Sequence, residues 1–244
     1  MSVAALAPSA PSFSERLFSA LEKVDYRAAV SEADRDAVFR LRYDAYERER
    51  AVGPTPTRRL SDRYDDLANT MVTSIHLDGA LAATIRISVM TPDQPDGPDG
   101  PPFADVVGPM LAAGKVLIDP TRHATDEGFS NAYPGLMPYL TTRVAWMAAE
   151  YFDADVILAS VRTEHQAFYR RVFGCVLICE PRPYPPLTKP LSLMMLDFKA
   201  AREKVLQRYP SFRSTAFERR MLFEPFYGAA KRELPAEPAM ARSA

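Results

Sequence analysis

Only two of the 244 residues are cysteine, Cys175 and Cys179, three are histidine and one is tryptophan, and each scarcity closes off a class of answer. Two cysteines four residues apart in a strand would share a face but stand too far apart for a relaxed disulfide. They are read as small buried hydrophobes, and a chain with no disulfide framework points to a reducing compartment. The His, Cys and acidic residues fall at no metal-ligand spacing, so no resident metal is expected. No apolar run approaches the ~20 residues of a membrane span, and Met1 to Phe13 has neither a basic n-region nor a sustained apolar stretch. The chain is therefore expected to be cytoplasmic, with no integral membrane segment. A formal net charge of −1 offers no global attraction for nucleic acid. No Ser–His–Asp or Cys–His arrangement is evident, so direct group transfer is favoured over a covalent enzyme intermediate.

What is present is ordinary in bulk and specific in detail. Hydrophobic residues make up 47% and charged residues 25%, as in a globular domain able to bury a full core. Arg outnumbers Lys, and Arg is the side chain that forks onto carboxylates and phosphates. Residues 1–23 read as a flexible N-terminal segment, its first part rich in Ala, Pro and Ser. Val24–Val30 reads as a strand. Ser31, followed by Glu32 and Asp34, caps a helix to about Glu49, with Val38, Leu41 and Ala45 as its apolar stripe. Residues 51–66 read as a loop or short helix. Met71–Leu77 and Ala80–Val89 flank Asp78-Gly79, the turn pair of a tight hairpin, and Pro92–Pro102 is a loop. Lys115–Asp119 is a strand ended by Pro120. Pro138–Phe152 is a helix, Asp155–Val161 a strand buried on both faces, and Glu164–Phe173 a helix closed by Gly174. Cys175–Cys179 and Leu191–Phe198 are two more strands, and Ala200–Tyr209 a further helix. A hairpin leading into alternating strands and helices predicts an α/β (α+β) domain over 24–198, with a mixed, mostly antiparallel sheet flanked by helices. Residues 199–244 then form a C-terminal helical extension and tail.

Within that order, Arg42 is followed four residues later by Tyr46 in the first long helix. Asp62 and Asp65 precede the hairpin, and Arg86 lies in its second strand. Phe103 follows the proline-rich loop, and Asp119 stands three residues before Arg122. This sparse set resembles that of the acyl-homoserine-lactone synthases. The phrases LRYDAY around Arg42 and EHQAFYRRVFG around His165 and Tyr169 look more like the bacterial N-acyl amino acid synthases, and both groups have the GNAT fold. There are departures from the lactone-synthase pattern: Leu60 stands where it has a Glu, and Asp119 is one methylene shorter than the Glu it replaces. The loop tryptophan of that pattern is also missing.

The resemblance implies an N-acyltransferase that moves a medium or long acyl chain from a thioester to the amine of an amino acid. Asp119 is then the candidate base, acting directly or through water. Arg86 and Arg122 would converge on the acceptor carboxylate as planar forks. Arg42 would order the loop carrying Asp62 and Asp65, with Tyr46, Phe103, His165 and Tyr169 around the substrates. Common acetyl-CoA-dependent GNAT enzymes carry an Arg/Gln-x-x-Gly-x-Gly/Ala loop that offers backbone N–H groups to the pyrophosphate. After Arg122 this chain reads HATDEGFSNAYPGLMPY, with no such loop. No bound cofactor is therefore expected, and the co-substrate would be acyl-carrier-protein thioester or acyl-CoA. Arg162, Arg170, Arg171 and Arg182 would form the docking surface for an acidic acyl carrier protein. The competing readings are an acyl-homoserine-lactone synthase taking S-adenosylmethionine and a non-catalytic GNAT-like binding module.

Overall fold

The computed structural model describes residues 10–232. In chain order it contains α1 (Phe13–Leu21), β1 (Val24–Ala28), α2 (Glu32–Arg48), β2 (Thr70–Leu77), β3 (Ala80–Met90), α3 (Ala104–Ala112), β4 (Leu117–Thr125), α4 (Glu127–Ala132), α5 (Met137–Tyr151), β5 (Val156–Val161), α6 (Gln166–Phe173), β6 (Val176–Arg182), β7 (Leu191–Asp197), α7 (Phe198–Arg208) and α8 (Ala216–Arg232). The seven strands form one sheet in the order β1-β2-β3-β4-β5-β7-β6. Every pairing is antiparallel except β4 with β5. This is the mixed, mostly antiparallel sheet that the order of elements implied.

Local chemistry explains the elements that position the site. Ser31 caps α2 by accepting the Asp34 N–H, and Glu32 and Asp34 place negative charge in its first turn, where the helix dipole favours it. The hairpin turns at Asp78 (φ 49) and Gly79 (φ 83), the two positive φ values of a type I′ turn. Its alternation sends Ile85, Ile87 and Val89 into the main core with α5. Arg86 and Ser88 are thereby turned to the opposite face, on which α2 packs.

The structure differs from the sequence reading in several places. Residues 13–21, expected within a flexible segment, are helical. They form α1, held by a Ser12–Glu15 capping box, with Leu17 and Ala20 buried in the main core; the first nine residues of the expected flexible segment lie outside the described residues. β4 does not end at Pro120 but runs to Thr125, and Pro120 pairs with Ile87. Proline costs a strand one donor, and pairing with β5 ends at Ile118 and Ile157, just before it. Residues 104–112 form a helix that the interior Pro109 and the proline-rich approach concealed. Lastly, the segment after β7, expected as a helical extension and tail, packs its helices onto the domain. Phe198, Val205, Leu206, Phe212, Leu222 and Phe223 join the core with α5. The end of the expected tail, 233–244, lies outside the described residues.

Phe212 is the keystone of that C-terminal packing. It is 1% exposed, and its ring lies 5.2 Å from Phe173 and 5.7 Å from Trp146, centroid to centroid. Phe212→Ala should cost about 3–5 kcal/mol, the range for removing a buried aromatic ring, read from chemical denaturation. A loss under about 1 kcal/mol would show that the C-terminal helices can be dispensed with.

Candidate active site

The face of the sheet beneath α2 carries an unusual concentration of charge. Arg42, on α2 and 0% exposed, donates to Asp65 Oδ1 at 2.7 Å. Arg86, on β3 and 1% exposed, donates to Asp62 Oδ1 at 2.5 Å and to the Thr121 hydroxyl at 3.0 Å, and stands 3.3 Å from Asp65. Arg122, on β4, grips Asp62 Oδ2 through Nη2 at 2.6 Å and Nε at 3.2 Å. The two aspartates belong to a short 3-10 turn, 63–66, whose capping box they form together: Asp62 takes the Tyr64 N–H and Asp65 takes the Asp62 N–H. Five charged side chains from four segments thus close into one network.

Its electrostatics follow from that geometry. Burial works against an ionised Asp62, but Arg86 and Arg122 outweigh it and bring its pKa down to about 2. Burial pulls Arg42 down to about 10, with Asp65 opposing, so it stays charged at neutral pH. The expected convergence of Arg86 and Arg122 is real, but they converge on Asp62, a carboxylate of this chain. Arg86 has no access to an outside ligand. Arg122 does, because it also faces a cavity, with its guanidinium 6.0 Å from the centre of the Tyr46 ring.

That cavity, of about 540 Å³, opens where β4 and β5 part company. Pro120 to Thr125 form one wall, and Ile157 to Val161 the other. Tyr46, Arg122, His123, His165, Tyr184 and Lys189 give it a polar end. Met137, Ala145, Trp146, Phe168, Phe173 and Leu196 make the part behind the sheet apolar. Tyr169 and Cys175 also line it; burial raises both, the Cys175 thiol to about 12. Burial, with His165 opposite, pushes His123 down to about 4. Partial burial and then Arg162 lower His165, so both imidazoles are neutral at pH 7.

Several expected site residues sit elsewhere. Asp119 is not at an open strand end. It is 0% exposed, faces the same way as Arg86, and does not line the cavity. Its Oδ2 accepts the Asp99 N–H at 3.0 Å. Phe103 belongs to a small second core with Val107, Leu117 and Tyr184, not to the cavity. Arg182 is spent on a two-pronged bond to Asp105 and on the Pro102 carbonyl, clipping β6 to the start of α3. Arg162 bridges Glu49, Glu164 and His165 at the cavity mouth. Arg170 and Arg171 remain exposed on α6. Among the described residues, no group of three His, Cys, Asp or Glu side chains could hold a metal, and no helix is long and apolar enough to cross a membrane.

Three residues escaped the sequence reading: Asp99, Ser160 and Tyr184. Asp99 is 0% exposed and accepts from the Tyr184 hydroxyl at 2.9 Å, while the Ser160 hydroxyl also acts on its carboxyl. Asp99 lies in PDGPDGPP and Tyr184 in PRPYPP, stretches whose composition signals only loops; nothing local marks a partner 85 residues away.

Comparison with known proteins bears directly on this arrangement. The family described as N-acyl amino acid synthase FeeM matches residues 37–197, which is more than half of the chain and spans the network and the cavity walls. The chain belongs to that family. It is accordingly an acyltransferase enzyme. No curated protein sequence matches it. Among solved structures, FeeM from uncultured soil microbes is 20% identical with a TM-score of 0.62, over 75% of this chain and 96% of that one. The CoA-dependent acyl-homoserine lactone synthase BjaI is 15% identical with a TM-score of 0.52, over 77% and 89%. The nucleotide-linked sugar GNAT FdhC, in its apo form, is 10% identical with a TM-score of 0.52, over 79% and 96%. These likenesses are of fold.

The depressed Asp62 has a measurable consequence. Its folded pKa of about 2 lies below the ~3.9 of an unfolded aspartate. It therefore contributes stability, about 2 kcal/mol, that is complete above pH ~4 and lost as pH falls through the folded value. The stability gap between wild type and Asp62→Asn should hold from pH 7 to about 5 and narrow steadily toward pH 2. Thermal melts at matched ionic strength would show this, and a gap unchanged between pH 5 and 2.5 would contradict it.

Proposed function

We propose that the enzyme transfers a medium- or long-chain acyl group from a thioester to the amine of an amino acid. The cavity carries this reading. Its volume lies in the range of small-molecule sites, and it passes from polar groups at the β4–β5 opening to an aromatic and aliphatic chamber behind the sheet. A thioester lying in the β4–β5 opening would put its acyl chain among Met137, Trp146, Phe168 and Phe173, and its carbonyl level with Arg122, Tyr184 and the two neutral histidines. An acetyl group would leave that chamber unfilled.

The acceptor carboxylate is assigned to Arg122, the one arginine of the buried network that reaches the cavity. Asp62 fixes its planar fork in place, so the side chain is ordered before any ligand arrives. Arg86 serves one step back, by holding Asp62. Arg170 and Arg171, exposed on α6 beside the cavity wall, are suited to meet an acidic carrier protein. The name of BjaI states CoA dependence for that enzyme, so an acyl-CoA donor belongs in the same test. The lactone-synthase alternative is weaker, because buried Leu60 stands where that pattern has a carboxylate.

Purified enzyme should be incubated with long-chain acyl-carrier-protein, long-chain acyl-CoA or acetyl-CoA, each with a set of amino acids, and the products read by mass spectrometry. N-acyl amino acids should form, with the long-chain carrier-protein thioester consumed much faster than acetyl-CoA. Equal or better use of acetyl-CoA would sink the long-chain reading. Arg122→Lys should raise the acceptor KM while leaving the donor KM nearly unchanged. A decarboxylated amine acylated as readily as its parent amino acid would remove Arg122 from the acceptor site.

A further inference from the structure

Asp99 and Asp119 form a buried acid pair that the reaction as outlined does not use. Both are 0% exposed. Asp119 Oδ1 and Asp99 Oδ2 have no hydrogen-bond partner among the described residues, and the Asp99 N–H, donated to Asp119 Oδ2 at 3.0 Å, holds the two residues together. Two enclosed carboxyls with unpartnered oxygens cannot both stay ionised side by side, so the pair is best satisfied when it holds a proton. The pKa values agree in direction. Burial raises Asp99, and burial followed by the Asp99 charge raises Asp119 well above the usual carboxylate range.

The pair meets the cavity through Asp99, on which both Tyr184 and Ser160 act, and both of these line the cavity. Tyr184 donates to Asp99 Oδ1 at 2.9 Å, and Tyr184 lines the cavity beside Arg122. Arg86 from β3, Arg122 from β4 and Ser160 from β5 are the other groups that act on this chain of hydrogen bonds. None of them stands between Asp99 and the tyrosine oxygen.

We infer that Tyr184, Asp99 and Asp119 form a proton relay for the acyl transfer, with the Tyr184 hydroxyl as the catalytic group that meets the substrates. This rests on the N-acyltransfer reading above. As the neutral amine attacks the thioester carbonyl, the C–N bond forms and the nitrogen gives a proton to the Tyr184 oxygen, while Tyr184 passes its own proton to Asp99. When the C–S bond breaks, the proton returns by the same path and Tyr184 protonates the thiolate. One proton leaves nitrogen, one reaches sulfur, and the acid pair ends as it began. Asp119 thereby takes part without touching the substrate, as a positioning residue that shares the proton Asp99 receives.

Tyr184→Phe removes one oxygen and keeps the ring that packs 6.3 Å from Phe103. With the acyl thioester and amino acid that wild type uses, it should lower kcat by roughly 10²-fold or more and leave the donor KM within about twofold. Asp99→Asn should lower kcat similarly. The double variant should fall no further than the worse single, as for groups that act as one unit. Both singles should also lose the acid limb of the kcat–pH profile, which a purely structural role would leave in place. A kcat for Tyr184→Phe within threefold of wild type, or losses that multiply in the double variant, would overturn the relay while leaving the acyltransferase reading intact. An effect confined to the donor KM would overturn it too. A wild-type enzyme inert with every thioester and amino acid would overturn both.

Discussion

Everything at the cavity depends on the burial of three arginines against two aspartates. A lone guanidinium at 0% exposure would be prohibitively costly, so Arg42 can occupy the α2–sheet interface only because Asp65 meets it there. Asp65 in turn is held by its place in the 3-10 turn. Such a network is weak evidence for stability, since an apolar replacement of equal volume often does as well. What it provides is position. The turn 63–66 has few apolar anchors of its own, and the ion pairs fix it to β3 and β4. In doing so they fix the Arg122 guanidinium at the cavity edge, bound through two of its nitrogens and free of the rotameric freedom a solvated arginine would have.

The second constraint is the parting of β4 and β5. A parallel pair normally extends its ladder, and here it stops after two residue pairs. Pro120 has no N–H to give, and Arg122, at φ 54, breaks the regular progression two residues later, where the β3–β4 register also shifts. These features turn the backbone from Pro120 to Thr125 into a cavity wall rather than a sheet interior. The same local irregularity that opens the cavity aims Arg122 into it, so the opening of the sheet and the placing of its polar group have a single cause.

How much of this was legible from the sequence depends on the range of each interaction. The hairpin could be read because Asp-Gly and strict alternation are local signals, and alternation alone put Arg86 on the face opposite Ile85 and Ile87. The association of Arg42 with Asp65 could be anticipated because an arginine beside a helical apolar stripe needs a carboxylate partner, and the next acidic pair supplied one. β4 was cut short because proline is a strand breaker by default; only the pairing with Ile87 shows it tolerated. Asp119 was expected at an open end because that false strand end placed it there. Asp99 and Tyr184 carried no signal at all. Each lies in a proline-rich stretch, and what matters is a contact across the fold. The loop of Asp99 is seated by the three carbonyls that Asn69 Nδ2 reaches, those of Val89, Gln94 and Asp96. Gly97 also lies so close to Met90 that an added Cβ would meet its sulfur at 2.4 Å.

One face of one sheet therefore holds carboxyl groups in opposite states, and the difference lies in access to arginine. Asp62 receives hydrogen bonds from two guanidiniums, and their attraction exceeds its desolvation, so it is ionised far into acid. Asp119 receives no hydrogen bond from Arg86, is fully enclosed, and has the Asp99 charge acting against its ionised form, so the neutral form is favoured. Arg86 is common to both, but it gives its hydrogen bonds to Asp62 and Thr121 and leaves the acid pair only its field. Environments that push like groups in opposite directions are how one fold separates an electrostatic anchor from a proton carrier at a single pH. The division of labour here follows the same line: the ionised carboxylate orients Arg122 and exchanges no proton, whereas the pair that retains a proton sits one tyrosine hydroxyl away from the cavity.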